Sequence, residues 1–379
     1  MDFTFSEEQQ AALEAAKAHF AAVAPDAVPS PALTPGAVAD DFDRTLWTHL
    51  ADADLLSLLL HTEYGGAGLD PIALCLVLRE SARSLARIPL LENTAAATAL
   101  QAHGHPDTRK ELLTRAGRGE LVLTVAAHGR TGHDPAELAV TARQDNDGNW
   151  TLDGIQTAVP WAHTADYVLL PAHTHDTART VLALVPRTHP GIRLAEQYST
   201  TGERLAELRL DSARIPARHL LDADGAWEEL RLLLTTGTCA LALGLAEKAL
   251  EMTSRYTSGR EQFGHPLATF QAVAVQAADR YIDLRAMEAT LWQAAWRISS
   301  RAPGALPAAG DVATAKIWAS DGLRRVVQTA QHLHGGFGAD TDYPLHRYHA
   351  WAKHLELSLG PAAAHEETLG DLLAAHPLA

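Results

Sequence analysis

The sequence predicts a mainly α-helical protein with a β domain in its middle, and three observations carry that prediction. Apolar residues recur at three- and four-residue spacing from residue 6 to about 118, and again after Gly225, the period of helices with one buried face. From about Leu121 to Leu221 the period changes to short apolar runs broken by turn residues, as strands require. Ala and Leu dominate while aromatic residues are only 6% of the chain, a balance that favours closely packed helices. The expected domains are residues 1–118, 119–221 and 222–379.

Ser6 with Glu8 and Gln9 reads as a helix start, and Phe42 to Trp47 opens a second amphipathic stretch. Glu63-Tyr64-Gly65-Gly66-Ala67-Gly68-Leu69-Asp70 breaks the helical pattern as a loop, and the next helix runs from Pro71 to about Leu85. In the middle third, Leu138 to Ala142 and Trp150 to Leu152 flank the turn Asp145-Asn146-Asp147-Gly148, which predicts a hairpin. Tyr167 to Leu170 and Val181 to Val185 read as buried strands, and Pro216 as the end of an edge strand beginning near Arg204. Leu241, Leu245, Ala249, Met252 and Tyr256 mark one long bundle helix, and Val273, Ala277, Tyr281, Leu284, Met287 and Leu291 another. A Pro/Gly stretch at Arg301 to Pro307 separates these from a helix beginning near Asp311, and Gly244 reads as a close helix contact.

The chain has 379 residues, enough for two or three domains, and a formal net charge of −15, which opposes nonspecific binding to nucleic acid or anionic membranes. Cys75 and Cys239 suggest neither a disulfide framework nor a zinc site. The first residues lack a secretory pattern and no uninterrupted apolar run approaches membrane-spanning length, so a cytoplasmic protein without membrane insertion is expected. The histidine pairs His173/His175 and His332/His334 lack acidic or cysteine companions, so no metal site is expected.

The last third carries two blocks with chemical content. One is Tyr256-Thr257-Ser258-Gly259-Arg260-Glu261-Gln262-Phe263-Gly264-His265-Pro266-Leu267, followed by Phe270-Gln271; the other is His332-Leu333-His334-Gly335-Gly336-Phe337-Gly338, followed by Asp342-Tyr343-Pro344. A pyrophosphate needs a fixed cation and backbone amides that it can approach closely, which Arg260 and Gly335-Gly336 could supply. The plainer alternatives are a cation at a helix C-terminus and a tight turn, and Phe263 is expected to be partly core whatever else it does.

Together the blocks closely resemble the acyl-CoA dehydrogenase family, and the resemblance covers nearly the whole chain. It implies an N-terminal helical domain, a β-barrel-like middle domain and a C-terminal four-helix bundle, acting in FAD-dependent α,β-desaturation of an acyl-CoA thioester. It also implies that Arg260, Phe263, Gln271, His332, Gly335 and Gly336 contact the nucleotide tail of an FAD whose ring lies in the adjacent subunit. His332 stands where many members have Gln.

What the family needs and this chain lacks is a carboxylate to remove the substrate's α-proton. The two positions at which the family places it correspond to Leu359 and Leu234, and a leucine cannot act as a base worth roughly 10²- to 10⁴-fold in rate. Glu356 lies one helical turn away, and Glu228 and Glu229 are more distant substitutes. The family's flavin-ring elements correspond to Ala127-His128-Gly129-Arg130-Thr131-Gly132-His133-Asp134 and Ala158-Val159-Pro160, which keep little of the pattern beyond Gly132 and Asp134. In these features the chain resembles the non-catalytic type of subunit in actinobacterial α2β2 heteromeric acyl-CoA dehydrogenases of steroid side-chain degradation. A second dehydrogenase-like subunit, a bulky or specialised acyl-CoA substrate and electron-transfer flavoprotein are the partners this implies. The rivals are a homomeric enzyme of the same fold with non-redox chemistry, a dehydratase, cyclase or lyase using His128, His133 or Glu356, and a non-catalytic scaffold subunit.

Overall fold

The computed structural model describes residues 4–131, 137–175 and 179–377. Five helices open the chain: α1 (Glu7–Ala21), α2 (Arg44–Asp52), α3 (Pro71–Arg83), α4 (Leu90–His103) and α5 (Pro106–Gly117). Ser6 starts α1 with a reciprocal cap, its Oγ accepting from Gln9 N–H at 3.2 Å and its own N–H donating to Gln9 Oε1 at 2.9 Å. Residues 22–43 contain no helix, contrary to the helical expectation for the whole of this third; Pro25, Pro29, Pro31 and Pro35 withhold the amides a helix would use. The stretch lies instead as a strap, with Ala39 N–H bonded to Gly202 O at 2.8 Å.

Eight strands form the middle sheet: β1 (Leu123–Val125), β2 (Val140–Gln144), β3 (Trp150–Pro160), β4 (Tyr167–Thr174), β5 (Thr180–Pro186), β6 (Ile192–Tyr198), β7 (Arg204–Ile215) and β8 (Leu220–Leu221). Their order is β6-β7-β3-β2-β4-β5-β8, with β1 parallel to β4. The predicted β2–β3 hairpin forms, and the Asp145 carboxylate accepts from Asp147 and Asn149 N–H in its turn. β7 is an interior strand and not an edge, because β6, which lacks a clear sequence pattern, pairs along its outer side. Pro216 falls just beyond the strand, where its missing N–H breaks no ladder. β4 and β5 are apolar throughout because both of their faces are covered: Leu169, Leu182 and Leu184 join the helical core, while Val168, Leu170, Val181 and Val185 fill a second core on the sheet's other side.

The C-terminal part comprises α6 (Ala226–Gly259), the short hairpin β9 (Glu261–Gln262) and β10 (His265–Pro266), then α7 (Gln271–Ser300), α8 (Ala308–His334), α9 (Leu345–Leu357) and α10 (Ala362–Ala375). By length and composition α6 could cross a membrane, but most of that stretch is buried inside the protein. It is the central helix, packed against α3 and α4 of the first part and α7, α8 and α9 of the last. Gly244 makes the α3 contact possible, since a Cβ there would stand 1.9 Å from the Arg79 carbonyl oxygen. One continuous hydrophobic core therefore runs through both helical parts and one face of the sheet.

Candidate functional site

The two positions singled out for a missing base, 125 residues apart in sequence, meet in one cavity. Leu234 on α6 and Leu359 just beyond α9 both line a space of about 100 Å³, bounded on other sides by α3, α4, the ends of β1 and β3, and Glu203 and Leu205. Three bonds fix the α4, β1 and β3 walls and the loop beside them. Asn93 Oδ1 accepts from Leu123 N–H at 2.9 Å, joining α4 to β1, and Thr124 Oγ1 donates to Pro160 O at 2.6 Å. Gln156, fully buried, accepts from Gly129 N–H at 2.7 Å and so holds the loop that carries His128.

The turn bearing Leu359 is held by Lys316 on one side and His365 on the other. Lys316, 1% exposed, donates through Nζ to the carbonyls of Leu355 and Glu356, each at 3.1 Å, and to Ser320 Oγ at 2.8 Å. It caps the C-terminal end of α9, and burial pulls its ammonium down to about 8. His365 sits 2.8 Å from Leu359 O through Nε2, and Leu359 adopts a left-handed backbone with φ 57°. For a leucine that conformation costs on the order of 1–2 kcal/mol, so the surroundings impose it.

No carboxylate replaces the missing base at this turn. The Glu356 side chain is bound to Lys353 Nζ at 2.7 Å and does not line the cavity. Glu229 is engaged at the surface with His103 at 2.9 Å and does not line the cavity. His128 does line the cavity, whereas Gly132, His133 and Asp134 lie outside the described residues. Glu92, Glu203 and His354 also line it, and sequence reasoning missed all three. Glu92 accepts from Trp161 Nε1 at 3.1 Å, and burial pushes its carboxyl up to about 7 and that of Glu203 up to about 8. Burial drives His128 and His354 the other way, to about 4 each, so both are neutral at pH 7. Glu92 is the sole acidic residue of α4, which was a usable signal; Glu203 and His354 had none.

The six residues assigned to a cofactor tail lie at the end of the bundle where α6 finishes, α7 begins and α8 finishes. Tyr256 joins the segments, stacking on His334 at 4.3 Å and on Phe337 at 5.5 Å. Arg260, Gln271, His332, Gly335 and Gly336 are all exposed. Arg260 forms no ion pair among the described residues, and a Cβ built on Gly335 or Gly336 would meet nothing within 4 Å. Phe263 is 90% exposed, so the expectation that it would be partly core was wrong. Phe263 (φ 54°) and Gly264 (φ 79°) form the two-residue turn between β9 and β10, which projects the ring away from the core.

Residues 6–120 match the acyl-CoA dehydrogenase N-terminal domain and residues 235–373 the acyl-CoA dehydrogenase C-terminal domain. The chain belongs to the acyl-CoA dehydrogenase family. Within this family of flavoprotein oxidoreductases it is 36% identical over 341 residues to acyl-CoA dehydrogenase FadE27 of Mycobacterium tuberculosis, covering 89% of this chain and 90% of that one. Among solved structures it is similar to the ChsE4-ChsE5 complex from Mycobacterium tuberculosis, with TM-score 0.89, 35% identity and full coverage of both chains. It is also similar to a variant of the Tcur3481-Tcur3483 steroid acyl-CoA dehydrogenase, with TM-score 0.88 and 36% identity over 97% of this chain and 98% of that chain. Each of these two structures is named for two components.

A flavin ring does not fit the cavity of this chain as it stands. About 100 Å³ falls well below the roughly 300 Å³ at which small-molecule pockets begin, and Ala158 and Pro160 line it where the family has Trp and Thr. The exposed tail residues, by contrast, fit a dinucleotide's nucleotide end in both chemistry and access.

Proposed function

We propose that this chain is the base-lacking subunit of a heteromeric, FAD-dependent acyl-CoA dehydrogenase, supplying contacts to the FAD nucleotide tail while the partner supplies the ring pocket and the proton-removing carboxylate. The observation that carries this is the convergence of Leu234 and Leu359 in one small cavity. Both places from which the family draws its base are apolar and face the same cavity. Bound FAD would furnish the hydride acceptor, and Arg260 with the Gly335-Gly336 backbone would hold its pyrophosphate.

The surface beside that site supports an unlike partner. Val275, Tyr281 and Ile282 on the first half of α7 are 52%, 59% and 63% exposed, and Phe263 stands near the same end of the helix. A soluble chain gains by covering such side chains. The two named components of each similar solved structure favour an unlike subunit, and the similarity to a steroid acyl-CoA dehydrogenase favours a bulky acyl-CoA. Electron-transfer flavoprotein remains the expected electron acceptor of the assembly.

Co-expression with a dehydrogenase chain encoded beside this one tests the proposal. The expected product is a mixed tetramer holding one flavin for every two polypeptides; one flavin per polypeptide would refute it. A colourless homotetramer that converts an acyl-CoA without an electron acceptor would favour the non-redox alternative, for which His128 in the cavity is the supporting observation.

A further inference from the structure

A guanidinium and a pair of backbone amides can grip one pyrophosphate only if the two chain segments that carry them keep a fixed spacing. Arg260 follows the end of α6, and Gly335 follows the end of α8. Gly335-Gly336 has no side chains to restrain it, and Gly335 stands at φ 60° in a conformation that leaves such a pair loose unless its neighbours are held.

Those neighbours are held. His334 precedes the pair and Phe337 follows it, and each ring packs against both Tyr256 and Tyr343. Tyr256 lies on His334 at 4.3 Å with 22° between the planes, and Tyr343 lies on Phe337 at 4.4 Å. Tyr256 also belongs to the other segment, because its carbonyl accepts from Arg260 N–H at 2.8 Å. The Gly335 carbonyl accepts from Gln331 Nε2 at 3.0 Å, which fixes the peptide between the two glycines.

One hydrogen bond locks this clamp. His334 is 3% exposed, with Nδ1 2.8 Å from Ala330 O and Nε2 3.2 Å from the Tyr343 hydroxyl. A carbonyl oxygen only accepts, so Nδ1 carries the ring proton and Nε2 is left to accept from Tyr343. Burial lowers the pKa of the imidazole, which favours the same neutral form. Bonded at both nitrogens, the ring cannot turn without leaving a buried polar atom unsatisfied. A ring that merely filled space would be free of that constraint.

We propose, on the reading that Arg260 and the glycine pair hold an FAD tail, that His334 and Tyr343 are positioning residues whose hydrogen bond keeps Gly335-Gly336 in register with Arg260. Neither side chain needs to touch the cofactor. The pair acts through the aromatic clamp.

Tyr343→Phe keeps the ring contacts and removes only the hydroxyl, and FAD release from the co-purified complex reads the effect. Release is expected to be roughly three- to tenfold faster, the equivalent of one lost hydrogen bond. Combined with Arg260→Ala, the same substitution should accelerate release by less than half that factor, since a residue acting through the spacing to Arg260 is coupled to it. A role in stability alone would shift the unfolding midpoint and leave release unchanged. Acceleration of less than about twofold, or an equal acceleration in both backgrounds, overturns the proposal. If Arg260→Ala alone leaves release unchanged, the tail assignment itself fails. Should Tyr343→Phe not fold, His334→Asn, whose amide can keep the bond to Ala330 O without reaching Tyr343, supplies the same comparison with the same expected result.

Discussion

Arg260→Ala separates a cofactor-holding role from a structural one, because the structure predicts opposite effects on stability and on flavin retention. Arg260 terminates α6, and its backbone N–H bonds to Tyr256 O at 2.8 Å, a bond that the substitution leaves intact. Its exposed guanidinium has no ion pair among the described residues, so unfolding stability should change by no more than about 0.5 kcal/mol. A charge-assisted hydrogen bond to a phosphate is worth about 1.5–3 kcal/mol, which at about 1.4 kcal/mol per decade corresponds to roughly 10- to 100-fold weaker FAD binding. The assay is FAD release from the co-purified complex, followed by the rise in flavin fluorescence on dilution. Arg260→Lys, which keeps the charge but loses the two-pronged geometry, should fall between. Unchanged retention, within twofold, in Arg260→Ala would refute the assignment and favour the scaffold alternative.

Gly244→Ala would drive a methyl group into the Arg79 carbonyl at the α3–α6 crossing. A loss of about 1–3 kcal/mol is expected for such overpacking, read by urea unfolding; an unchanged midpoint would mean that the helices separate freely. The Glu203 carboxyl, with its native value raised from 4.5 to about 8, binds its proton more tightly when folded, so its contribution is complete below about pH 4.5 and is lost as pH rises through 8. His128, His354 and His365, each lowered from 6.5 to about 4, act oppositely: they add stability as pH rises through 4, and their contribution is complete and constant above about pH 6.5. Stability should therefore decline between about pH 6.5 and 8, where Glu92 adds to the loss, and Glu203→Gln should make that decline shallower. An identical slope in the variant would contradict the burial of Glu203 as an acid.

The helical thirds were legible because their burial is one-sided and periodic, and the long α6 and α7 follow directly from that spacing. The strap at residues 22–43 was missed because general helical composition was allowed to outweigh four prolines. β6 was missed for a different reason: it lies at the sheet edge with a half-exposed, polar surface, so alternation is faint there. Leu234 and Leu359 were found only through family resemblance, since nothing in the spacing of two leucines announces a vanished base. Glu203 and His354 depend on a junction of distant segments that no local pattern encodes. Phe263 was read as apolar and so as partly core, whereas the left-handed turn that exposes it is visible in sequence only as the following glycine.

Turnover by the isolated chain, purified to homogeneity, loaded with FAD and offered an acyl-CoA with an artificial electron acceptor, tests the central claim most directly. With leucine at both positions from which the family draws its base, no oxidation above the uncatalysed rate is expected, and activity should appear only when the partner chain is added. Acyl-CoA oxidation by this chain alone at the rate of the mixed complex would contradict it.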